Sequence, residues 1–260
     1  MKYSIIIPCF NSEKVLQRTL DSCLNQTFKS FEVIAVDNGS ADTTLEILRQ
    51  YQTMLAQEDI KCTIIPNQKN LGPSYARNQG WDLAQGEYIA FLDHDDCWHS
   101  QKLEVIDRVL TAHPEIDCMG HAHGIFIAGR GDEPVRQSTL GAIKKLGLVD
   151  YWLRNQMVTP SLVIRRTITE RFDPAMRYCE DHDLMLRVVR RHQVFYLDEP
   201  LVFLGRPVLK HGGQSADRWR MRQGEIHAYV HFAKETGWGW FVLPVLLVYS
   251  LLKHVRVMLK

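Results

Sequence analysis

Residues 87–98 read EYIAFLDHDDCW, an apolar run typical of a buried strand that ends in a cluster of acidic side chains. Earlier in the chain, YSIIIPCF (residues 3–10), FEVIAV (31–36) and CTIIP (62–66) are also short apolar runs. Helical patterns separate them, as in TTLEILRQYQTML (43–55) and PSYARNQGWDLAQ (73–85). This alternation predicts an α/β fold with a Rossmann-like, mostly parallel sheet flanked by helices.

Polar clusters follow three of the predicted strands: CFN (9–11), VDNGSAD (36–42) and LDHDD (92–96). Sheets of this kind bind ligands outside the carboxyl ends of their strands, so we expect a ligand site there. Beyond residue 100 the alternation loosens. We expect helices at 102–113 and 180–191, strands at 118–129 and 159–166, and a polar loop at 129–137.

The composition excludes some partners. Lys and Arg total 31 against 30 Asp and Glu in 260 residues, so the chain lacks the positive field that attracts nucleic acid, and we expect no nucleic-acid partner. The six cysteines are scattered without a CxxC pair, as in reduced cytoplasmic proteins. The first apolar run is too short for a signal peptide. We therefore expect a cytoplasmic protein of one large domain or two closely joined halves.

Asp93, Asp95 and Asp96 crowd the end of the fourth predicted strand. Carboxylates this close raise one another's pKa unless a cation offsets their charge. Mn²⁺ and Mg²⁺ prefer oxygen ligands, and two Asp carboxylates with diphosphate oxygens would complete an octahedral shell. The pattern indicates a divalent metal site, with a solvated acidic loop as the alternative because Asp-x-Asp is a common motif.

Four segments in register resemble glycosyltransferase family 2: SIIIPCFN (4–11), LNQTFKSFEVIAVDNGSADTT (24–44), NLGPSYARNQGWDLAQGEYIAFLDHDDCW (70–98) and YCEDHDLMLRV (178–188). The resemblance implies a glycosyltransferase-A fold, a nucleotide-sugar donor, a divalent metal and inversion at the anomeric carbon. The corresponding division is a catalytic domain over residues 1–210, with a nucleotide-binding half (1–100) and an acceptor half (101–210). A closing flap and a helical tail follow over 211–260.

The resemblance places three residues along the nucleoside pocket: Pro8, Phe10 and Asn11. Phe10 also fits a plain core position. Asp37 and Asn38 end the second predicted strand, where the family commonly has two successive acids, one of them contacting the base. An amide pairs with a pyrimidine edge, but Asn38 leaves the choice of UDP over other nucleotides open. The alternative is a simple turn, with Asp42 capping the next helix.

Arg77 matches a family position near the donor diphosphate, and an Arg fork suits phosphate oxygens. The alternative is a surface helix residue that pairs with Asp82. The resemblance further implies that Asp95 is a direct metal ligand. Asp93 would share the metal site and lie near the donor ribose.

Inverting transfer needs a base that removes the acceptor hydroxyl proton. The resemblance assigns this role to Asp181 and implies that Glu180 contacts the acceptor or supports the base. Acids in a first helical turn also stabilise the helix dipole, which is the alternative. His211, in RPVLKHGGQS (206–215), matches the family's closing segment and would complete the metal shell, whereas a loop histidine is often only solvated.

The tail WGWFVLPVLLVYSLL (238–252) is uncharged and is followed by Lys253, Arg256 and Lys260. It is too short for a spanning helix but suits peripheral membrane contact through residues 238–260, on the inner face of the cell membrane. A helix packed on the catalytic domain or on a second subunit of a homo-oligomer is the alternative. Pro244 argues against one straight helix.

The sequence thus predicts a non-processive glycosyltransferase that uses Mn²⁺ or Mg²⁺ and a nucleotide sugar, with UDP as the expected nucleotide. The acceptor would be a glycan or a lipid-linked glycan of surface polysaccharide synthesis. One alternative is a nucleotidyltransferase, although PCFNSEKV (8–15) lacks the Gly-rich basic loop of that class. Another is a non-catalytic sugar-nucleotide-binding or scaffold protein.

Overall fold

The computed structural model describes residues 1–127, 141–205 and 217–258, with the backbone alone beyond residue 253. The first half alternates as expected: β1 (Tyr3–Cys9), α1 (Leu16–Leu24), β2 (Phe31–Asp37), α2 (Thr44–Gln57), β3 (Cys62–Pro66), α3 (Pro73–Leu83) and β4 (Tyr88–Phe91). The second half contains β5 (Cys97–Trp98), α4 (Lys102–Ala112), β6 (Cys118–Ile125), β7 (Ile143–Leu146), α5 (Leu148–Leu153), β8 (Val163–Arg165), α6 (Glu180–Arg191), β9 (Val194–Leu204), α7 (Arg218–Thr236) and α8 (Gly239–Met258).

All nine strands of the described residues form one sheet in the order β3-β2-β1-β4-β8-β6-β9-β5, with β7 also pairing with β9. The first four strands run parallel, and β8 joins them antiparallel to β4. Every residue of β1 and β2 is buried, which is why these strands are continuous apolar runs. This is the predicted α/β fold.

Helices cover both faces of the sheet. Alternate residues of β1 enter two hydrophobic clusters, with Ile5 packing among residues of α1, α2 and α4, and Ile6 among residues of α3, α6 and α7. A Cβ at Gly80 of α3 would lie 2.6 Å from Ile6 Cγ2, so the missing side chain lets this helix approach the sheet closely. The packing fixes α3, and with it Arg77, over the carboxyl end of β1.

The C-terminal helices α7 and α8 pack on the catalytic fold. Leu243, Leu246 and Ser250 of α8 are buried. Pro244 lies inside α8, which continues on both sides of it. No helix in the described part of the chain is long and apolar enough to cross a bilayer.

Candidate functional site

A cleft of about 960 Å³ opens at the carboxyl ends of the parallel strands. In-register pairing of Cys9 with Asp37, and of Asp37 with Pro66, brings the ends of β1, β2 and β3 to one edge of the sheet. The residues of the cleft wall that the prediction had named are Pro8, Phe10, Asn38, Arg77, Asp93, Asp95, Glu180 and Asp181. The structure therefore gathers most of the predicted site residues, which lie far apart in sequence.

Arg77 lies at the centre of this cleft and joins its two acidic groups. One terminal nitrogen donates to Asp93 Oδ1 at 2.6 Å and the other to Glu180 Oε1 at 2.9 Å. The Arg77 side chain is only 5% exposed, and the charges of Asp93 and Glu180 raise its pKa against the opposing effect of burial. Asp82 pairs instead with Arg171, so Arg77 is not the surface helix residue of the alternative.

The acidic loop after β4 is held by hydrogen bonds to its backbone. Thr19 Oγ1 donates to the carbonyls of His94 and Asp96 at 2.8 and 2.7 Å, and Arg18 donates to the carbonyl of Asp95. Asp96 is buried and accepts a 2.8 Å hydrogen bond from the Gly205 amide through Oδ1. Burial, followed by the charges of Asp93 and Asp95, raises the pKa of Asp96 to about 8. Asp96 therefore anchors the loop to the end of β9.

Asp181 is held by two hydrogen bonds at the start of α6. Its Oδ1 accepts from the His182 amide at 2.8 Å, and its Oδ2 accepts from Asn155 Nδ2 at 2.8 Å. Cys179, with φ of 57°, turns the chain into the helix. Burial raises the pKa of Asp181 despite these two bonds, as is usual for a carboxylate that acts as a base near neutral pH.

Asp183, in the same helical turn, does not line the cleft. Its carboxylate pairs with Arg187 at 2.6 Å and with His231 Nδ1 at 2.7 Å. Burial alone would raise the pKa of Asp183, but hydrogen bonding to His231 and the charge of Arg187 lower it. Of the three acids in the first turn of α6, only Glu180 and Asp181 line the cleft.

Asn38 organises the loop that leads into α3. Its amide nitrogen donates to Asn70 Oδ1 at 3.0 Å and to the Gly72 carbonyl at 3.1 Å, and its oxygen accepts from the Leu71 amide at 3.1 Å. Gly72 has φ of 93°, which a residue with a side chain rarely adopts. Asn38 thus holds a glycine turn in place, while the base contact expected from it stays a prediction.

Two of the predicted donor-binding residues, Asn11 and Asp37, do not line the cleft: Asn11 is exposed and Asp37 is buried. Asn11 Oδ1 accepts from the Ala41 amide at 2.9 Å, and Asp37 Oδ1 accepts from the Ser40 amide at 3.2 Å. Asp42 Oδ1 accepts from the Thr44 amide at 3.0 Å as α2 begins. The turn that was the alternative for this segment is formed, and the roles of Asn11 and Asp37 in donor binding stay predictions.

Among the described residues, no three His, Cys, Asp or Glu side chains group so that they could hold a metal ion. Asp93 and Asp95 still offer the carboxylate oxygens that Mn²⁺ and Mg²⁺ prefer. Asp96, next to them, is buried, and burial is the main cause of its raised pKa, with the charges of Asp93 and Asp95 as the lesser cause. His211, the third expected ligand, lies outside the described residues.

The cleft also has a wall that sequence patterns did not indicate. It comprises Arg154, Asn155, Gln156, Tyr178, Arg222, Glu225 and Lys253. Residues 154–156 lie in an irregular stretch after α5, and Tyr178 comes just before α6. The other three residues lie on α7 and α8. No motif in the sequence marked Asn155 as a partner of Asp181.

Comparison with protein-family models matches residues 4–173 of this chain to the family described as Glycosyl transferase family 2. The chain belongs to glycosyltransferase family 2. The match covers β1 to β8, the acidic loop and Arg77, and it ends before Glu180 and Asp181. It confirms the family resemblance seen in the sequence. It sets aside the nucleotidyltransferase alternative.

Among the curated relatives, the amylovoran biosynthesis glycosyltransferase AmsB of Erwinia amylovora is 39% identical over 105 residues, which are 40% of this chain and 34% of that protein. Across the curated relatives compared, the aligned part ranges from 16% to 79% of their lengths. For most of these relatives the aligned part is about half of their length or less, so this chain spans only part of them.

Solved structures confirm the glycosyltransferase-A fold. The structure of S. aureus TarS 1–349 in complex with UDP-GlcNAc matches with a TM-score of 0.70 and 22% identity, over 90% of this chain and 67% of that one. The mannosyltransferase PcManGT from Pyrobaculum calidifontis, in complex with GDP-Man and Mn²⁺, matches with a TM-score of 0.65 and 16% identity, over 96% and 72%. At these identities the likeness extends to the fold.

Proposed function

We propose that this protein is an inverting, non-processive glycosyltransferase that moves a sugar from a nucleoside-diphosphate sugar, with UDP as the nucleotide, to an acceptor hydroxyl. One observation supports this most strongly. Arg77 hydrogen-bonds both Asp93 of the strand-end loop and Glu180, the neighbour of Asp181. The donor side and the base side of the cleft are therefore held together by one buried side chain.

In the proposed reaction Asp181 is the base. As the acceptor oxygen attacks the anomeric carbon from the face opposite the diphosphate, its proton passes to the Asp181 carboxylate. The bond from the anomeric carbon to the diphosphate oxygen breaks, and the diphosphate leaves with that electron pair. Asn155 and the His182 amide orient the carboxylate, and burial raises its pKa, which makes it a stronger base.

Donor binding is assigned to the edge of the parallel strands. Pro8, Phe10 and Asn38 line the cleft there, while Asn11 and Asp37 support its wall through the turn at residues 39–41. Phe10 is partly exposed and offers a ring on which a base can stack. Arg77 would face the donor diphosphate, and Asp93 would share the metal site and lie near the donor ribose.

Asp93 and Asp95 would hold Mn²⁺ or Mg²⁺, and the donor diphosphate would supply further oxygens. When bound, such an ion offsets the negative charge that grows on the departing diphosphate. The PcManGT structure contains Mn²⁺, which supports a metal in this fold. His211 is proposed as a further ligand by resemblance alone.

The acceptor is proposed to be a glycan or a lipid-linked glycan of surface polysaccharide synthesis. The name of the Erwinia relative, an amylovoran biosynthesis enzyme, supports a role of this kind. All six cysteines are free, in keeping with a reducing compartment. We place the enzyme in the cytoplasm, against the inner face of the cell membrane.

The deciding experiment is transfer by the Asp181→Asn variant. Wild-type protein is incubated with a panel of nucleotide sugars and Mn²⁺, and nucleotide release and the anomeric configuration of the product are followed by NMR. We expect inversion, and a fall in turnover of about 100-fold or more in the variant with donor binding retained. Asp82→Asn, at an exposed carboxylate, is the matched control.

Two outcomes would count against this assignment. Unchanged turnover in Asp181→Asn would remove Asp181 from the base role, and retention of configuration would exclude a single displacement. If the wild type bound the donor but transferred sugar to none of a set of glycan acceptors, the result would favour the non-catalytic alternative.

A further inference from the structure

One face of α8 is apolar and faces solvent. Its members recur at helical spacing and are more than half exposed: Phe241, Val245, Val248, Leu251 and Leu252. Phe241 is 85% and Val245 69% exposed. The opposite face, with Leu243, Leu246 and Ser250, is buried against the rest of the protein. We call the five exposed residues the α8 stripe.

Aromatic side chains border the α8 stripe at its N-terminal end. Trp238 packs edge-on against Trp152 and Phe232, with ring centroids 6.2 and 5.4 Å apart, yet remains nearly half exposed. Trp240 is exposed to a similar degree. Indole rings anchored on one side and open on the other suit the headgroup region of a bilayer.

Charge at the other end of the helix indicates which partner fits. Residues 239–260 contain Lys253, Arg256 and Lys260 but no Asp or Glu. Lys253 already pairs with Glu225 of α7. A second copy of this segment would bring only further positive charge to a symmetric interface, whereas an anionic lipid surface attracts a segment of positive net charge. An apolar helix face that is bordered by tryptophans and followed in the sequence by cations is typical of helices that lie in the membrane interface.

We propose that the α8 stripe is a membrane-docking surface that inserts among the headgroups and upper acyl chains of an anionic bilayer, with α8 lying parallel to the membrane. At 1.5 Å per residue, the 20 residues of α8 extend over about 30 Å. Docking along the helix would bury all five members of the stripe at once.

This orientation would also bring one wall of the cleft, to which Lys253 and Glu225 contribute, towards the membrane. We assign the acceptor to this wall, a step that rests on the function proposed above. Lys253 of α8 lines the cleft and pairs with Glu225 of α7. Ser250 Oγ donates to the same carboxylate at 2.6 Å, and Arg222 donates to it as well. A lipid-linked acceptor would therefore reach Asp181 along a wall built on the docking helix.

Vesicle flotation of the full chain tests the docking surface without donor or acceptor. We expect wild-type protein to float with vesicles of phosphatidylglycerol and phosphatidylcholine in equal parts, and to float less with phosphatidylcholine alone. The double variant Phe241→Asp/Val245→Asp should lose at least tenfold in partitioning, because two carboxylates would enter the headgroup layer. Leu83→Asp, at an apolar position of α3 that is also more than half exposed, is the control and should float as wild type.

Further measurements separate the outcomes. Circular dichroism and thermal unfolding of the double variant should match the wild type, because both positions are exposed. Asp181→Asn should float normally, so failure of the catalytic assignment leaves this test intact. Equal flotation of double variant and wild type would overturn the proposal. The proposal would also be overturned if wild-type protein did not float with any of the vesicles. It would be overturned as well if sedimentation showed that the wild type is a dimer and the double variant a monomer.

Discussion

Asn155 donates a 2.8 Å hydrogen bond from its side-chain amide to Oδ2 of Asp181, the carboxylate proposed as the base. The other oxygen accepts from the His182 amide, so Asn155 is the one side chain seen to orient this group within the described residues. The bond favours the ionised form and lowers the Asp181 pKa, while burial raises it.

Replacing Asn155 with alanine should therefore slow transfer and shift its pH profile. A hydrogen bond to a charged group contributes about 1.5 to 3 kcal/mol, so kcat should fall about 10- to 100-fold. Since activity needs the deprotonated base, and loss of the bond raises its pKa, the acidic limb should move to higher pH. Steady-state kinetics across pH measure both effects.

Asn25→Ala, at an exposed asparagine after α1, is the control for Asn155→Ala. A lower kcat with an unmoved acidic limb would contradict a role in positioning Asp181. The donor KM should change little, since Asn155 contacts Asp181 and lies in the half of the chain that we propose binds the acceptor.

Loss of Arg77 should destabilise the protein. Arg77→Ala leaves Asp93 and the buried Glu180 without their shared cation, and removal of one partner from a buried ionic group costs about 3 to 5 kcal/mol. Arg77→Lys should lose less, because an ammonium keeps the charge but not the fork. Urea unfolding gives both values.

Arg49→Ala, at an exposed position on α2, is the control for Arg77→Ala. Its free energy of unfolding should stay within about 0.5 kcal/mol of the wild-type value. If the free energy of unfolding of Arg77→Ala fell by less than about 1 kcal/mol, the expected loss would be contradicted. Glu180 would then have to be protonated or solvated once the arginine was gone.

Introducing the acid that the family commonly has at position 38 should harm this protein. Asn38→Asp replaces a donor with an acceptor facing Asn70 Oδ1 and the Gly72 carbonyl. Leaving such buried groups unpaired costs about 1 to 3 kcal/mol. Thermal unfolding checks the stability and calorimetry with UDP checks the nucleotide affinity. Gln50→Glu, at an exposed site, is the control, and an equally stable variant would show that the loop rearranges freely.

Replacing Asp95, the expected metal ligand, should make the binding of UDP independent of Mn²⁺. A ligand whose free concentration is 100 times its dissociation constant raises the free energy of unfolding by about 2.7 kcal/mol. UDP with Mn²⁺ at such concentrations should therefore raise the wild-type Tm by about 5 °C or more. Chelation should remove most of that rise. Asp95→Ala should show none of the Mn²⁺-dependent part, whereas Asp82→Ala should behave as wild type. A full Mn²⁺ effect in Asp95→Ala would place the metal elsewhere.

The strands β1, β2 and β4 were predictable because buried parallel strands are continuous apolar runs with polar residues at their carboxyl ends. The strand β3 is only half-buried, but it is also a short apolar run. β9 was not, since Asp198, Glu199 and Pro200 interrupt its apolar pattern. Its pairing with β6 also shifts register between His121 and His123. Such irregularities depend on tertiary packing, which local periodicity does not encode.

The candidate site was predictable where a motif and a strand end coincide, as at Asp93 and Asp95. The pairing partners were not. Arg77 was expected near the diphosphate, but its two carboxylate contacts depend on the packing of α3 against the start of α6. Asn155 and Glu225 lie in segments with no motif, and only the folded chain brings them to the cleft.

The Arg77–Glu180 pair joins residues 103 positions apart. On a ribosome, the first four strands could associate long before Glu180 and Asp181 leave the exit tunnel, because domains fold as synthesis proceeds. Contacts of such long range form late, after the loop-closure entropy of the intervening chain has been overcome. A nascent chain would then hold a nucleotide pocket but no base, so catalytic competence would arise only near the end of synthesis.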